Sequence, residues 1–169
     1  QEEGNAVTVD DAKRILDTWF NTYPRVADIQ QLLRDRVLNE GWIATCWGRM
    51  RRFYKSDDQS VIAAQQREAM NFPPQSMVAD AMNMALYNLY TFPDRDKLGY
   101  RIVLQLHDAC MLEVPESNAD MVAREIMPLC MSEMVKFPSC TLDGVPYKDS
   151  PLYSFKVDIS VFKRWSETD

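Results

Sequence analysis

The 169 residues of this chain are 46% hydrophobic, enough to bury one substantial core, and they read most simply as a single domain. With 25 acidic against 19 basic residues and an isoelectric point near 4.9, bulk charge does not point to nucleic acid, whose phosphate backbone favours a basic partner. No apolar run approaches the roughly 20 residues that cross a bilayer, and Gln1-Glu2-Glu3-Gly4 lacks the basic and apolar regions of a signal peptide, so the reading is a soluble intracellular protein.

In chain order, Thr8 followed by Asp11 forms a predicted capping box for a helix with Ile15, Leu16, Trp19 and Phe20 on its apolar face. Pro24 opens a second helix that ends at Gly41, with Ile29, Leu32, Leu33 and Val37 at helical spacing. Residues 42–54 read as a strand pair and 60–71 as a helix closed by Phe72-Pro73-Pro74. A Met-rich helix then runs from Gln75 to about Tyr90, its stripe of Met77, Ala81, Met84 and Leu89 assigned to core packing rather than to a cofactor. Residues 100–115 form a hairpin with a His107-Asp108 tip, in which Ile102, Leu104 and Leu106 fall on one face and Val103, Gln105 and His107 on the other. Asn118 caps a further helix to about Lys136, interrupted or kinked at Pro128. The loop 137–151 leads to a last strand, Leu152 to Phe162, on which Phe155, Val157, Ile159 and Val161 alternate with polar residues. The fold class is α+β, a small antiparallel sheet packed on several helices.

Three features carry chemistry. The turn at His107-Asp108 contains no Asn-Gly or Gly-Gly, so its surroundings must hold it, and an aspartate at such a tip is well placed to hold a hard cation; an ordinary hairpin with a polar turn is the plainer alternative. Arg49, Arg51, Arg52 and Lys55 crowd the end of the first strand pair among Trp47, Phe53 and Tyr54, a local basic patch in an acidic chain, or else a solvated loop. Cys46, Cys110, Cys130 and Cys140 form no C-x-x-C pair and read as reduced core thiols, and a single histidine argues against a histidine-rich metal site.

The hairpin segment Tyr100-Arg-Ile-Val-Leu-Gln-Leu-His-Asp-Ala-Cys-Met-Leu-Glu-Val-Pro115 resembles motif C of the family A DNA polymerases, the bacterial DNA polymerase I group. Gly41-Trp-Ile-Ala-Thr-Cys-Trp-Gly-Arg-Met-Arg-Arg-Phe53 and Arg67-Glu-Ala-Met-Asn-Phe-Pro-Pro-Gln-Ser-Met-Val-Ala-Asp80 are similar to two further segments of that family, in the same order and at similar spacing. A similar opening at Ala12 to Val26 extends the resemblance over most of residues 8–169.

The resemblance implies the C-terminal palm portion of a template-directed DNA polymerase, transferring a nucleotide from a dNTP to a primer 3′-hydroxyl with two Mg2+ ions. It implies Asp108 as a metal ligand and catalytic residue and His107 as a catalytic residue near the primer terminus. It further implies DNA contacts from Arg67, Asn71, Gln75, Gln105 and His107, while the local charge of Arg49, Arg51 and Arg52 makes them the residues expected on phosphate. The implied partners are a DNA primer-template, a dNTP and an upstream polymerase portion carrying the motif A aspartate and the fingers helix, neither of which corresponds to anything here. The implied setting is the cytoplasm of a bacterial or virus-infected cell, with no membrane. Two departures stand out: Ala109 where the family usually has glutamate, and Ser76 where it usually has glycine. Ala109 and the missing aspartate keep open an inactive, palm-derived DNA-binding module, and a single-subunit RNA polymerase palm shares the architecture. The isolated chain is expected to be inactive.

Overall fold

A computed structural model describes residues 8–164, which divide into two compact units, one of residues 8–43 and 52–70 and the other of residues 44–51 and 71–164. In the first unit, helix α1 (Val9–Thr22) starts at the expected capping box: the Asp11 backbone N–H donates to Thr8 Oγ1 at 3.1 Å, and the Thr8 N–H donates to Asp11 at 3.2 Å. Its apolar stripe is not covered within the described residues, and Ile15 stays 62% exposed. Helix α2 (Pro24–Asn39) has Pro24 in its first turn, where a missing N–H costs nothing, and gives way to Gly41 at φ +74°. Leu33, Val37, Ile43, Phe53 and Ala69 are the buried apolar residues of this unit, and Arg36 lies 4.6 Å from the Trp42 ring centroid.

Strands β1 (Trp42–Ala44) and β2 (Met50–Arg52) pair as expected and are followed by α3 (Gln59–Thr91). Here two helices were expected, separated at Pro73-Pro74, and the structure has one uninterrupted helical stretch. The prolines fall where a second helix would start, in a first turn that needs no N–H donors, so the chain passes from one helical segment to the next without a loop.

The rest of α3 packs the second unit. A short helix α4 (Arg95–Leu98), ended by Gly99 in left-handed geometry, leads into the antiparallel hairpin β3 (Arg101–Leu106) and β4 (Ala109–Glu113). Leu89, Leu98, Tyr100, Val122, Ile126 and Cys130 form its buried core, joined by half-buried Ile102, Cys110 and Leu112. The expected alternation along β3 is broken. Ile102 pairs with Leu112 but Leu104 with Met111, so Val103 is an extra, bulged residue. The bulge shifts the phase by one, which turns Leu104 and Leu106 off the core face and leaves Leu106 59% exposed.

The helix after the hairpin also differs in detail from expectation. It begins as a 3₁₀ turn (Glu116–Asn118), passes through α5 (Ala119–Met121), and continues as two π-helical segments, Val122–Ile126 and Leu129–Glu133, on either side of Pro128. A proline that cannot donate favours wider turns around it. Asn118 does not cap this helix with its side chain; its Nδ2 donates to the Leu98 carbonyl at 2.9 Å, closing the gap to α4. The expected last strand is reduced to β6 (Leu152–Tyr153), paired with β5 (Phe137–Pro138). Pro138 has no N–H to extend the ladder, and the Phe155 carbonyl accepts from Ser132 Oγ at 2.8 Å instead of from a strand. The class is α+β, as expected, with the strands among the described residues in three two-stranded sheets.

Candidate functional site

The β3–β4 hairpin turns in two residues, because Leu106 pairs with Ala109 and only His107 and Asp108 lie between them. Short hairpin turns need a positive φ, which glycine or asparagine usually supplies. Here His107 takes it, at φ 53°. A bulky residue held in this region costs roughly 1 to 2 kcal/mol, a burden met most often where the side chain is wanted for function. The tip receives one side-chain bond, from Gln105 Nε2 to the His107 carbonyl at 3.4 Å.

Asp108 is exposed, and among the described residues its carboxylate has no hydrogen-bond or ion-pair partner. It lines two depressions in the second unit. In one, Gln75 and His107 join it above Pro74, Val78 and Ala79, so α3 and the hairpin tip bring three of the expected site residues together. In the other, the methyl of Ala109 and the side chains of Lys156 and Asp158 border it. Asn71 is exposed one helical turn before Gln75 on the same face. Gln105 is exposed on β3 opposite Cys110. Arg67 and Arg52 are exposed in the first unit.

A second polar tip, the turn 45–49, joins β1 to β2. The Gly48 N–H donates to the Thr45 carbonyl at 2.9 Å and the Thr45 N–H to the Arg49 carbonyl at 3.0 Å, with Gly48 at φ +81°. Arg49 is not the free cation that a basic cluster implies. Its Nε and Nη2 both donate to Asp80 Oδ1 on α3, at 2.8 and 2.5 Å, and the hydrogen bonds to that carboxylate, then its charge, raise the affinity of Arg49 for its proton. Arg51 and Arg52 are exposed beyond it.

The residues that sequence reasoning passed over are Asp80, Lys156 and Asp158. Asp80 stood at the end of the quoted motif, and an aspartate half-buried on a helix calls for a cationic partner; Lys156 and Asp158 fell on the expected strand and carried no such signal. Elsewhere burial, the largest cause, raises the pKa values of the Cys46 and Cys140 thiols.

For a divalent cation, the donor set fits in part. A solvent-facing carboxylate without a protein partner is a hard oxygen ligand of the kind magnesium takes, but no group of three or more carboxylate, histidine or cysteine side chains that could hold a metal occurs among the described residues. No helix among them is long and apolar enough to cross a membrane.

DNA polymerase family A matches over residues 2–167. DNA polymerase I A, chloroplastic/mitochondrial, of Arabidopsis thaliana is 32% identical over 127 residues, covering 75% of this chain and 12% of that protein. The thermostable DNA polymerase I of Thermus aquaticus is 31% identical over 121 residues, covering 70% and 14%. DNA polymerase I of Pseudomonas aeruginosa is 29% identical over 161 residues, covering 93% and 16%. Among solved structures, the POL domain of Pol1 from M. smegmatis, in complex with DNA primer-template and dNTP, superposes with a TM-score of 0.68 at 26% identity, covering 83% of this chain and 24% of that one. The chain thus spans less than a fifth of the length of these curated relatives.

Proposed function

The chain belongs to DNA polymerase family A, and from that premise we propose that it supplies the palm segment bearing the catalytic carboxylate Asp108 to a template-directed DNA polymerase completed by an upstream portion. The observation that carries the reading is the meeting of Gln75, His107 and Asp108 in one depression, built by two elements distant in sequence. Asp108 would hold Mg2+ together with ligands from the upstream portion and the triphosphate. When bound, the metal ions stabilise the attacking and leaving oxygens of nucleotidyl transfer.

The protein side chains have separate tasks. Gln75 and Asn71 donate neutral hydrogen bonds to the acceptors that every base pair presents in the minor groove, which checks pair shape without reading sequence. His107 and Gln105 align the primer 3′ end beside the carboxylate. Arg67, Arg49, Arg51 and Arg52 meet backbone phosphates. Ala109 adds no ligand, so Asp108 is the sole carboxylate of its turn and carries the metal-binding task of this hairpin alone. The partners are a primer-template and a dNTP, and the setting is the cytoplasm of a bacterial or virus-infected cell.

Primer extension tests the proposal. The 169-residue chain alone, given magnesium, a primer-template and all four deoxynucleotides, is expected to add nothing. Adding an upstream family A portion with its motif A aspartate and fingers helix should restore synthesis. Robust extension by the chain alone would remove the need for a partner, and no extension by the folded mixture would favour an inactive, palm-derived module.

A further inference from the structure

Asp80 stands apart from the other carboxylates of the second unit because it is nearly buried yet incompletely used. Its side chain is 13% exposed, Oδ1 accepts both donors from Arg49, and Oδ2 is buried with no hydrogen-bond partner. An arrangement selected for stability alone would use both oxygens in the side-by-side, two-oxygen pairing that arginine and carboxylate favour. Here the guanidinium is gripped along one edge instead. Arginine has five N–H donors, so the grip spends two and leaves the others available. The arginine side chain is 47% exposed, and the pair borders a shallow depression with Trp47 and Asn83. The tip that carries it is already fixed by the Thr45 and Gly48 backbone bonds.

We infer that Asp80 is a positioning residue: it holds the Arg49 guanidinium on edge so that its remaining donors meet a backbone phosphate of bound nucleic acid at the Trp47–Asn83 depression. The inference rests on the nucleic-acid reading above and adds to it the residue that orients the contact. It also reverses a simple electrostatic expectation. A carboxylate beside a phosphate repels it, so charge alone says that removing Asp80 tightens binding. Positioning says that removal weakens it, because a guanidinium freed from its anchor must be ordered again at each binding event.

The test is binding of a fluorescently labelled primer-template by the 169-residue chain, followed by anisotropy across a salt series at a temperature where circular dichroism shows every variant folded. Arg49→Ala should weaken binding and lower the slope of log affinity against log salt by about one. Asp80→Asn should weaken binding about threefold to tenfold and move the slope toward that of Arg49→Ala, and the double variant should be no weaker than Arg49→Ala alone. Tighter or unchanged binding by Asp80→Asn would overturn the inference and leave the nucleic-acid reading intact. Absence of binding by the unaltered chain, both alone and completed by an upstream portion, would overturn both. If Asp80→Asn does not fold, Arg49→Ala decides: an unchanged slope means that its guanidinium meets no phosphate.

Discussion

The two hairpin tips of the second unit solve opposite problems with the same architecture. At the turn 45–49 the positive φ is given to Gly48, around which a Cβ would meet nothing within 4 Å, and the charge of Arg49 is tied to a nearly buried carboxylate. At the other tip the positive φ falls on His107, and the charge of Asp108 has no protein partner among the described residues. A long, flexible cation needs an anchor to be useful at a fixed point, whereas a short carboxylate on a tight turn is already fixed and must stay open to bind a cation. The pairing of a charge, not its presence in a motif, separates the gripped guanidinium of Arg49 from the open carboxylate of Asp108.

Changes in the support of each tip test this comparison. The largest stability effect is expected at Gly144, beneath the first tip: an added Cβ would stand 2.4 Å from the Thr45 carbonyl oxygen, and φ is +78°. Gly144→Ala should cost roughly 2 to 3 kcal/mol in urea unfolding, since backbone on both sides must give way. A cost below about 0.5 kcal/mol would mean that the loop is not seated against Thr45.

A smaller loss is expected at the root of the second hairpin. Tyr100 is 2% exposed, its hydroxyl donates to the Leu89 carbonyl at 2.6 Å, and burial, reinforced by Cys130 and opposed by Arg95, pushes its pKa up to about 12. Because the folded chain holds this proton more tightly than the unfolded chain, the contribution is complete below about pH 10 and is lost as pH rises from there toward 12. Tyr100→Phe should therefore cost about 1 kcal/mol at neutral pH and flatten the alkaline fall in stability. An unchanged slope between pH 10 and 12 would assign that fall to other groups.

The smallest change is a gain. His107→Gly relieves roughly 1 to 2 kcal/mol of left-handed strain and gives back roughly 0.5 to 1 in unfolded-chain freedom, so the urea midpoint should rise by an amount equivalent to about 0.5 kcal/mol. A fall would show that the imidazole itself holds the turn.

Much of this organisation was legible before the structure because it rests on local rules. The Thr8–Asp11 box, Pro24 at a helix start, the strand pair ending near Arg49 and the His107-Asp108 tip each follow from neighbouring residues. The misses have non-local or compensated causes. Pro73-Pro74 reads as a break unless the next helix begins on the same residues. The bulge at Val103 leaves no composition signal, yet it moves Leu104 and Leu106 to the other face. Asn118 has a capping residue's chemistry but spends it on Leu98, and the last strand lost its ladder to Pro138 and Ser132. The candidate site was legible as Asp108, His107 and Gln75 through the resemblance. That Arg49 is already paired was not, since its partner lies on another element.

The most direct test of the central claim, that Asp108 is an open metal ligand, exchanges its hard oxygen for soft sulfur in the polymerase completed with an upstream portion. Magnesium shuns thiolate while cadmium prefers it, and manganese tolerates it better than magnesium does. Asp108→Cys should therefore lose primer extension in magnesium by roughly 10²-fold or more and recover part of it when manganese or cadmium is supplied, with the unaltered enzyme showing no such preference. Near-normal extension by Asp108→Cys in magnesium would contradict the account.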